Sequence, residues 1–328
     1  MTDAPFRIEP AAAERFAADL DRLAPQGSRI GIAVSGGPDS VALLLLASAA
    51  RPGAVEAATV DHGFRAESAD EAQVVSGLCR RVGVPHSTLK IEWAEKPESA
   101  IQERARSERY RLLDRWAADR KLDLLATAHH LDDQAETFLM RLNRGAGVRG
   151  LAGMRPDSPV PAEGSNRRLI RPLLTWRRAK LEEVCKTAGV EPVSDPSNSD
   201  DRYERVRIRQ ALGETDWLDA DTIARSAANL AGADAALHWA ADREWEAQVS
   251  RSDEGIAYRP AAPFEIRRRV VARALAELAT EGDDHQLRGT DLDRLLATLA
   301  NGERATLRGV LCTGGDAWTF RPAPPRKQ

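Results

Sequence analysis

Residues 30–46 read Ile-Gly-Ile-Ala-Val, then Ser-Gly-Gly-Pro-Asp-Ser, then Val-Ala-Leu-Leu-Leu-Leu. The first run is short and rich in branched residues, which predicts a buried strand over 30–34. Two glycines and a proline end it, and the apolar run that follows predicts a helix over 40–50. A strand and a helix that are both apolar throughout must be covered on all sides, as in a parallel sheet with helices on its faces. The turn between them has its own chemistry. Adjacent glycines let backbone amides approach an anion, the Ser hydroxyls add donors, and the helix start presents free N–H groups and the positive end of its dipole. It is neither G-x-x-x-x-G-K-[ST] nor G-x-G-x-x-G, because no Lys follows the glycines and their spacing differs.

The pattern continues. After a helical segment over 11–23, strands are expected at 30–34, 55–60, 87–91 and 122–128, and helices at 40–50, 67–82, 98–119 and 132–143. Strand and helix alternate four times, which predicts an α/β, doubly wound parallel sheet of Rossmann type. Residues 145–166 break the alternation with Gly, Pro and polar residues and are expected to form a long loop. A helix is expected near 176–188, a turn-rich segment begins at Asp195, and an Ala-rich helical region covers about 219–249. A chain of 328 residues exceeds what one core usually holds. The expected division is an α/β domain over 1–214 that carries the phosphate turn and a smaller, mainly helical domain over 215–328, with helical patterns at 263–280 and 290–299 and two strand-like runs at 305–311 and 317–320. No internal repeat is visible.

The net charge is -3, yet basic residues cluster: ten lie between Arg141 and Lys180 against Asp157 and Glu163, a local balance of +8. Such a stretch can face phosphates, or can be ordinary solvated arginine in a chain with 41 Arg and 6 Lys. Cys79, Cys185 and Cys312 are far apart and odd in number, so they offer neither a disulfide framework nor a C-x-x-C pair. No apolar run is long enough to span a membrane and residues 1–10 carry no signal pattern, so a cytoplasmic location without membrane contact is expected.

Other motifs fall where strands should end. Thr59-Val-Asp61-His62-Gly63-Phe-Arg65 closes the second expected strand, and Ala128-His129-His130-Leu-Asp132-Asp133-Gln134-Ala-Glu136-Thr137 closes the fourth. In open α/β sheets ligands gather at those carboxyl ends. The six-residue turn Ser35–Ser40 resembles the PP-loop of ATP pyrophosphatases, enzymes that adenylate a substrate oxygen. With Arg104 to Tyr110, the Gly- and Arg-rich run from Arg144, Arg171-Pro-Leu-Leu and Asp195-Pro-Ser-Asn198, the chain resembles the tRNA(Ile)-lysidine synthetase family over roughly residues 29 to 212.

The resemblance implies ATP-dependent joining of free L-lysine to the wobble cytidine of the isoleucine tRNA with a CAU anticodon, through an adenylated cytosine, with release of AMP and pyrophosphate. The codon read would change from AUG to AUA. Ser35, Gly36, Gly37, Pro38, Asp39 and Ser40 would bind ATP, and Asp39 would also serve as a Mg2+ or orienting ligand. Asp133 and Glu136, three apart on one helix, would bind the lysine ammonium; alone they are equally an acid-rich first helical turn. One of His129 and His130 would contact substrate, with His129 the catalytic candidate and the choice between the two open. Asp61 and His62 are weaker candidates, since D-H-G also makes a good strand-ending turn. Arg205 and Arg209, four apart, resemble the family's R-N-x-[IL]-R element, with Val206 standing where the family has Asn. Arg205 is the stronger catalytic candidate of the two. The segment after residue 214, with Arg267 to Arg269, is expected to hold the tRNA body, and a homodimer is left open.

Three rival readings remain at this point. A PP-loop tRNA thiolase would share the adenylation, but typically relies on paired cysteines that this chain lacks. A small-molecule PP-loop synthetase would not account for the +8 segment. A non-catalytic nucleotide- or RNA-binding module would not need the intact phosphate turn together with Asp133 and Glu136.

Overall fold

Every second residue of the central strands points to the same face, and two apolar layers follow from that alternation. A computed structural model describes residues 6–63, 67–93, 101–193, 204–279 and 289–324. Its main sheet runs in the order β3 (His86–Lys90), β2 (Val55–Asp61), β1 (Ile30–Ala33), β4 (Leu124–Ala126), β6 (Arg168–Ile170), β5 (Asp157–Pro159). All neighbours are parallel except β5 with β6. Ile30, Ile32, Ala57, Leu124, Ala126 and Ile170 join one core, with α1 (Pro10–Asp21), α2 (Pro38–Ala50), α3 (Glu67–Val82) and α7 (Arg178–Thr187). Ala58, Leu125 and Leu169 join the other, under Tyr110, Leu113, Trp116 and Ala117 of α4 (Ile101–Asp119).

The doubly wound sheet is as the alternation predicts. Successive strands step outward from β1 to β2 and β3, then return to β4 on its other side. The order reverses between β1 and β4, and the crevice outside their carboxyl ends is where such a fold places a ligand. The phosphate turn lies at the end of β1, and α5 (Leu131–Asn143) begins just past the end of β4.

Residues 145–166 are less irregular than their composition predicts. They hold the one-turn helix α6 (Val148–Leu151) and the hairpin strand β5, which pairs with β6. Three-residue strands opened by Arg or Asp give no apolar alternation, so period alone cannot reveal them.

The chain divides into two compact units, Met1–Leu230 and Ala231–Gln328. The expected boundary at residue 214 coincides with the end of α8 (Glu204–Glu214). The start of α9 (Ala220–Gln248) belongs to the first unit, where Ala220, Ile223 and Ala224 pack with Leu131 and Ala135 of α5. In the second unit, Ala241 and Trp245 share a core with α10 (Phe264–Leu278) and α11 (Gly289–Ala300).

The second unit also holds a sheet larger than the two expected strands. Its order is β7 (Val249–Ser252), β8 (Gly255–Tyr258), β11 (Trp318–Pro322), β10 (Val310–Thr313), β9 (Arg304–Leu307), all antiparallel. The β7–β8 hairpin escapes a sequence reading because β7 is mostly polar. Arg267 to Arg269 are engaged within this unit: Arg267 lies over the Trp318 ring at 6.0 Å, Arg268 meets Asp293 at 2.8 Å, and Arg269 meets Asp234 at 2.7 Å.

One tight approach fixes α4 on the sheet. A Cβ on Gly31 would meet Trp116, Leu122 and Leu125 at 2.7, 2.9 and 3.0 Å. Gly31→Val should cost roughly 1–3 kcal/mol by overpacking. The check is the urea midpoint: a lower midpoint at unchanged slope is expected, and an unmoved midpoint would show that α4 does not need this glycine.

Candidate active site

The Ser hydroxyl that ends the phosphate turn shapes the turn itself. Ser40 Oγ accepts from the amides of Ser35 and Gly36, each at 3.1 Å, and donates to the Gly37 carbonyl at 3.0 Å. Ser35 Oγ stands 3.2 Å from it. Gly36 has a φ of +91°, and a Cβ there would meet Val75 and Val193 at 3.2 Å. The glycine is thus needed for both backbone and space. Gly37 caps α2, Pro38 opens it, and the amides of Asp39 and Ser40 are first-turn donors without helical acceptors. What remains for an anion is the Gly37, Asp39 and Ser40 amides and the Ser35 hydroxyl.

Opposite this turn lies His130, the N-cap of α5. Its amide donates to Asp133 Oδ2 at 3.1 Å, one half of a capping box, and the Asp133 amide lies 3.4 Å from His130 Nδ1. Three carboxylates surround the ring. Asp39 Oδ2 and Asp133 Oδ2 lie 3.5 and 3.6 Å from Nε2, and Asp132 Oδ2 lies 3.6 Å from Nδ1. Burial opposes a charge on this ring, but hydrogen bonds to Asp132 and Asp39 and the field of Asp133 outweigh it, and its pKa rises to about 10. The imidazolium makes Nδ1 a donor, so its partner there is Asp132 and not the long amide contact. Asp132 is held in turn by the Arg178 amide at 2.8 Å and by Arg177 at 3.3 Å. Burial would raise its carboxyl, yet these partners and His130 bring it down to about 2.

His129 is different in kind. Its Nδ1 meets Thr127 Oγ1 at 2.9 Å. Burial and the charges of Arg171, Arg106 and Arg109, only partly offset by Asp133, bring its pKa down to about 4. Of the two histidines, His130 is committed to the fold, whereas His129 is a neutral imidazole held through Nδ1 by Thr127. His62 at the end of β2 also loses basicity through burial and the charge of Arg109.

Glu136 lies at the base of the site, 1% exposed, between two arginines of α8. Arg209 Nε meets Oε1 at 2.6 Å and Arg205 Nε meets Oε2 at 3.1 Å, while Arg205 also donates to Thr137 Oγ1 at 3.1 Å. The two arginines turn toward the same carboxylate, and the anion they grip is Glu136. Val206, where the family has Asn, is buried.

The structure brings Asp39, Asp133, Glu136 and Arg205 together around α5, with His129 beside them at its start. The sequence does not show that Asp132 joins His130 to α7 or that Glu136 is bracketed. The i, i+4 spacing of Arg205 and Arg209 was the available signal for the bracket. The Asp195–Asn198 motif lies outside the described residues. Cys185 Sγ donates to the Pro38 carbonyl at 3.4 Å, directly behind the turn.

Asp39 Oδ1 is buried without a hydrogen-bond partner. Among the described residues no three His, Cys, Asp or Glu side chains converge as a metal cage. Mg2+ is commonly held by one or two carboxylates plus phosphate oxygens, so one unsatisfied carboxylate oxygen beside a phosphate turn fits that ion.

A PP-loop domain model matches residues 10–215. The chain is 50% identical over 320 residues to a tRNA(Ile)-lysidine synthase of Novosphingobium aromaticivorans, covering 96% of this chain and 95% of that one. It is 42% identical over 305 residues to that of Zymomonas mobilis subsp. mobilis, covering 93% and 91%. Among solved structures, the U34-tRNA thiolase NcsA of Methanococcus maripaludis is similar in fold, with a TM-score of 0.56 at 17% identity over 68% of this chain and 78% of that one.

The depressed His129 pKa has a sign that can be checked. Below pH 6.5 the unfolded chain protonates this histidine while the folded one does not, so stability falls as pH drops from about 6.5 to about 4. His129→Gln removes that component. Its unfolding free energy should fall less than the wild type's over this range, by up to roughly 3 kcal/mol; parallel curves would contradict a neutral buried ring.

Proposed function

The chain belongs to the tRNA(Ile)-lysidine synthase family, and we propose from that premise how its residues join lysine to a CAU-anticodon isoleucine tRNA. The reaction has two displacements. The wobble cytosine O2 attacks the α-phosphate of ATP and pyrophosphate leaves; the lysine ε-amine then attacks cytosine C2 and AMP leaves with O2. The wobble base becomes lysidine and reads AUA. The observation that carries this reading is the buried His130 ring, which joins Asp39 of the phosphate turn to Asp132 and Asp133 of α5.

The turn's free amides and Ser35 hydroxyl hold the ATP phosphates, with Gly36 and Ser40 maintaining its shape. Mg2+, when bound, would be held by Asp39 Oδ1 and would neutralise phosphate charge. Asp133 receives the lysine ammonium. Glu136 offers its remaining Oε1 lone pair to the same ligand and keeps Arg205 and Arg209 turned toward α5. His129, neutral and anchored through Thr127, orients the reacting base or phosphate; its low pKa suits it to hydrogen bonding better than to holding a proton. Arg205, half exposed beside Glu136, can reach developing negative charge on the leaving AMP. The second unit is assigned to the tRNA body, and the enzyme to the cytoplasm, where that tRNA works. No helix among the described residues is long and apolar enough to cross a membrane.

Sulfur transfer is disfavoured by the cysteines. Burial raises the Cys79 and Cys185 thiols to about 11 and the Cys312 thiol to about 12, so none is a ready thiolate.

Labelled lysine should enter a CAU-anticodon isoleucine transcript only with ATP, and should not enter a methionine tRNA. Asp39→Ala should abolish incorporation. AMP release with tRNA but without labelling would point to another adenylation chemistry. Asp133→Asn should raise the KM for lysine at least tenfold, about 1.4 kcal/mol, with the KM for ATP little changed; an unmoved lysine KM would remove Asp133 from the lysine site.

A further inference from the structure

Of the ten basic residues between Arg141 and Lys180, six are paired with carboxylates in the fold and two others bond differently. Arg144, Arg167, Arg168, Arg177, Arg178 and Lys180 each face a carboxylate. Arg141 and Arg171 bond to neutral oxygens instead. Arg141 donates to the Gly150 and Gly153 carbonyls at 2.7 and 3.3 Å, and Arg171 to the Arg155 carbonyl at 2.7 Å and Ser158 Oγ at 3.1 Å. A carbonyl satisfies an N–H group but does not cancel the guanidinium charge.

Arg171 is 7% exposed, and its Nε–H is buried without an acceptor. Tyr110 is 1% exposed, and its hydroxyl is likewise buried without a partner. Both lie on one side of the sheet. Tyr110 packs with Leu169, and Arg171 continues the β5–β6 ladder through its amide bond to the Pro156 carbonyl at 2.8 Å, so residues 169 and 171 share a face. Arg106 stacks over the Tyr110 ring at 5.1 Å and meets no carboxylate among the described residues. Burial, with the charge of Arg106, holds both Arg141 and Arg171 below the usual guanidinium range. Asp157, the carboxylate that acts on Arg171, is bonded to Arg168.

Two buried donors without acceptors, beside three guanidiniums without counterions, would be completed by the oxygens of a phosphate. We infer that Arg106, Tyr110, Arg141 and Arg171 form a second phosphate site, for a phosphodiester of the RNA substrate. The inference rests on the reading of tRNA as substrate. The turn at the end of β1, assigned to the ATP phosphates, leads into α2 on one face of the sheet, whereas Tyr110 belongs to α4 on the opposite face. A backbone phosphate near the target cytidine would anchor the strand while the base enters the crevice between β1 and β4.

The test compares wild type, Tyr110→Phe and Arg106→Gln for the KM values of tRNA, ATP and lysine, melting temperature, and tRNA affinity across salt. Tyr110→Phe deletes a hydroxyl that bonds nothing in the free protein, so melting should be unchanged or higher while the KM for tRNA rises roughly tenfold. Arg106→Gln should lower the slope of log affinity against log salt by about 0.7 to 0.9. The KM values for ATP and lysine should not move in either variant. The site is overturned if both variants keep the wild-type KM for tRNA and salt slope, and equally if the KM for ATP rises instead, which would give the phosphate to ATP. Wild-type lysine incorporation, run in parallel, separates the two levels: without it the substrate reading fails, and with it the variants judge the phosphate site alone.

Discussion

A single buried imidazole joins the phosphate turn to the first turn of α5. His130 touches Asp39 of the phosphate turn and both aspartates of the first turn of α5, and Asp132 carries the contact onward to Arg177 and the start of α7. Three carboxylates this close would repel one another and any phosphate between them. The ring holds a positive charge among them despite its burial, which offsets that repulsion. The nucleotide turn and the helix assigned to lysine therefore cannot shift independently, as an enzyme that passes one base from ATP to an amine requires.

Around that centre the charges are sorted by what they touch. Glu136 absorbs the field of Arg205 and Arg209 below the position proposed for lysine. On the other side of β4, arginines bond to carbonyls and keep their charge, and burial, with that field added to it, makes His129 neutral. Two adjacent histidines thus take opposite protonation states: one lies among carboxylates, the other among guanidiniums. Composition cannot report this. The net charge of -3 and the +8 segment describe the chain, whereas the field at the site depends on which arginines meet carboxylates.

Much of the fold was legible in the sequence because its signals are local. The apolar β1, the glycines of the turn and the uniformly apolar α2 each require burial or a special backbone, and together they dictate a parallel sheet with a phosphate turn at its centre. The short strands β5, β6 and β7 were not legible, since polar residues in three- and four-residue strands show no alternation. Of the site, the residue types and their helix were visible, while their partners were not. The bracket on Glu136 spans 69 and 73 residues, and the link from Asp39 to His130 crosses from β1 to β4. Side-chain pairing at that separation is set by tertiary packing, which spacing does not encode.

Exchange of labelled pyrophosphate into ATP tests most directly that the base is adenylated first and the amine arrives second. With wild-type protein, exchange should require the CAU-anticodon tRNA, proceed without lysine, and be lost in His130→Gln as the turn and α5 uncouple. Exchange that required lysine and proceeded without tRNA would place the adenylate on lysine and contradict the account.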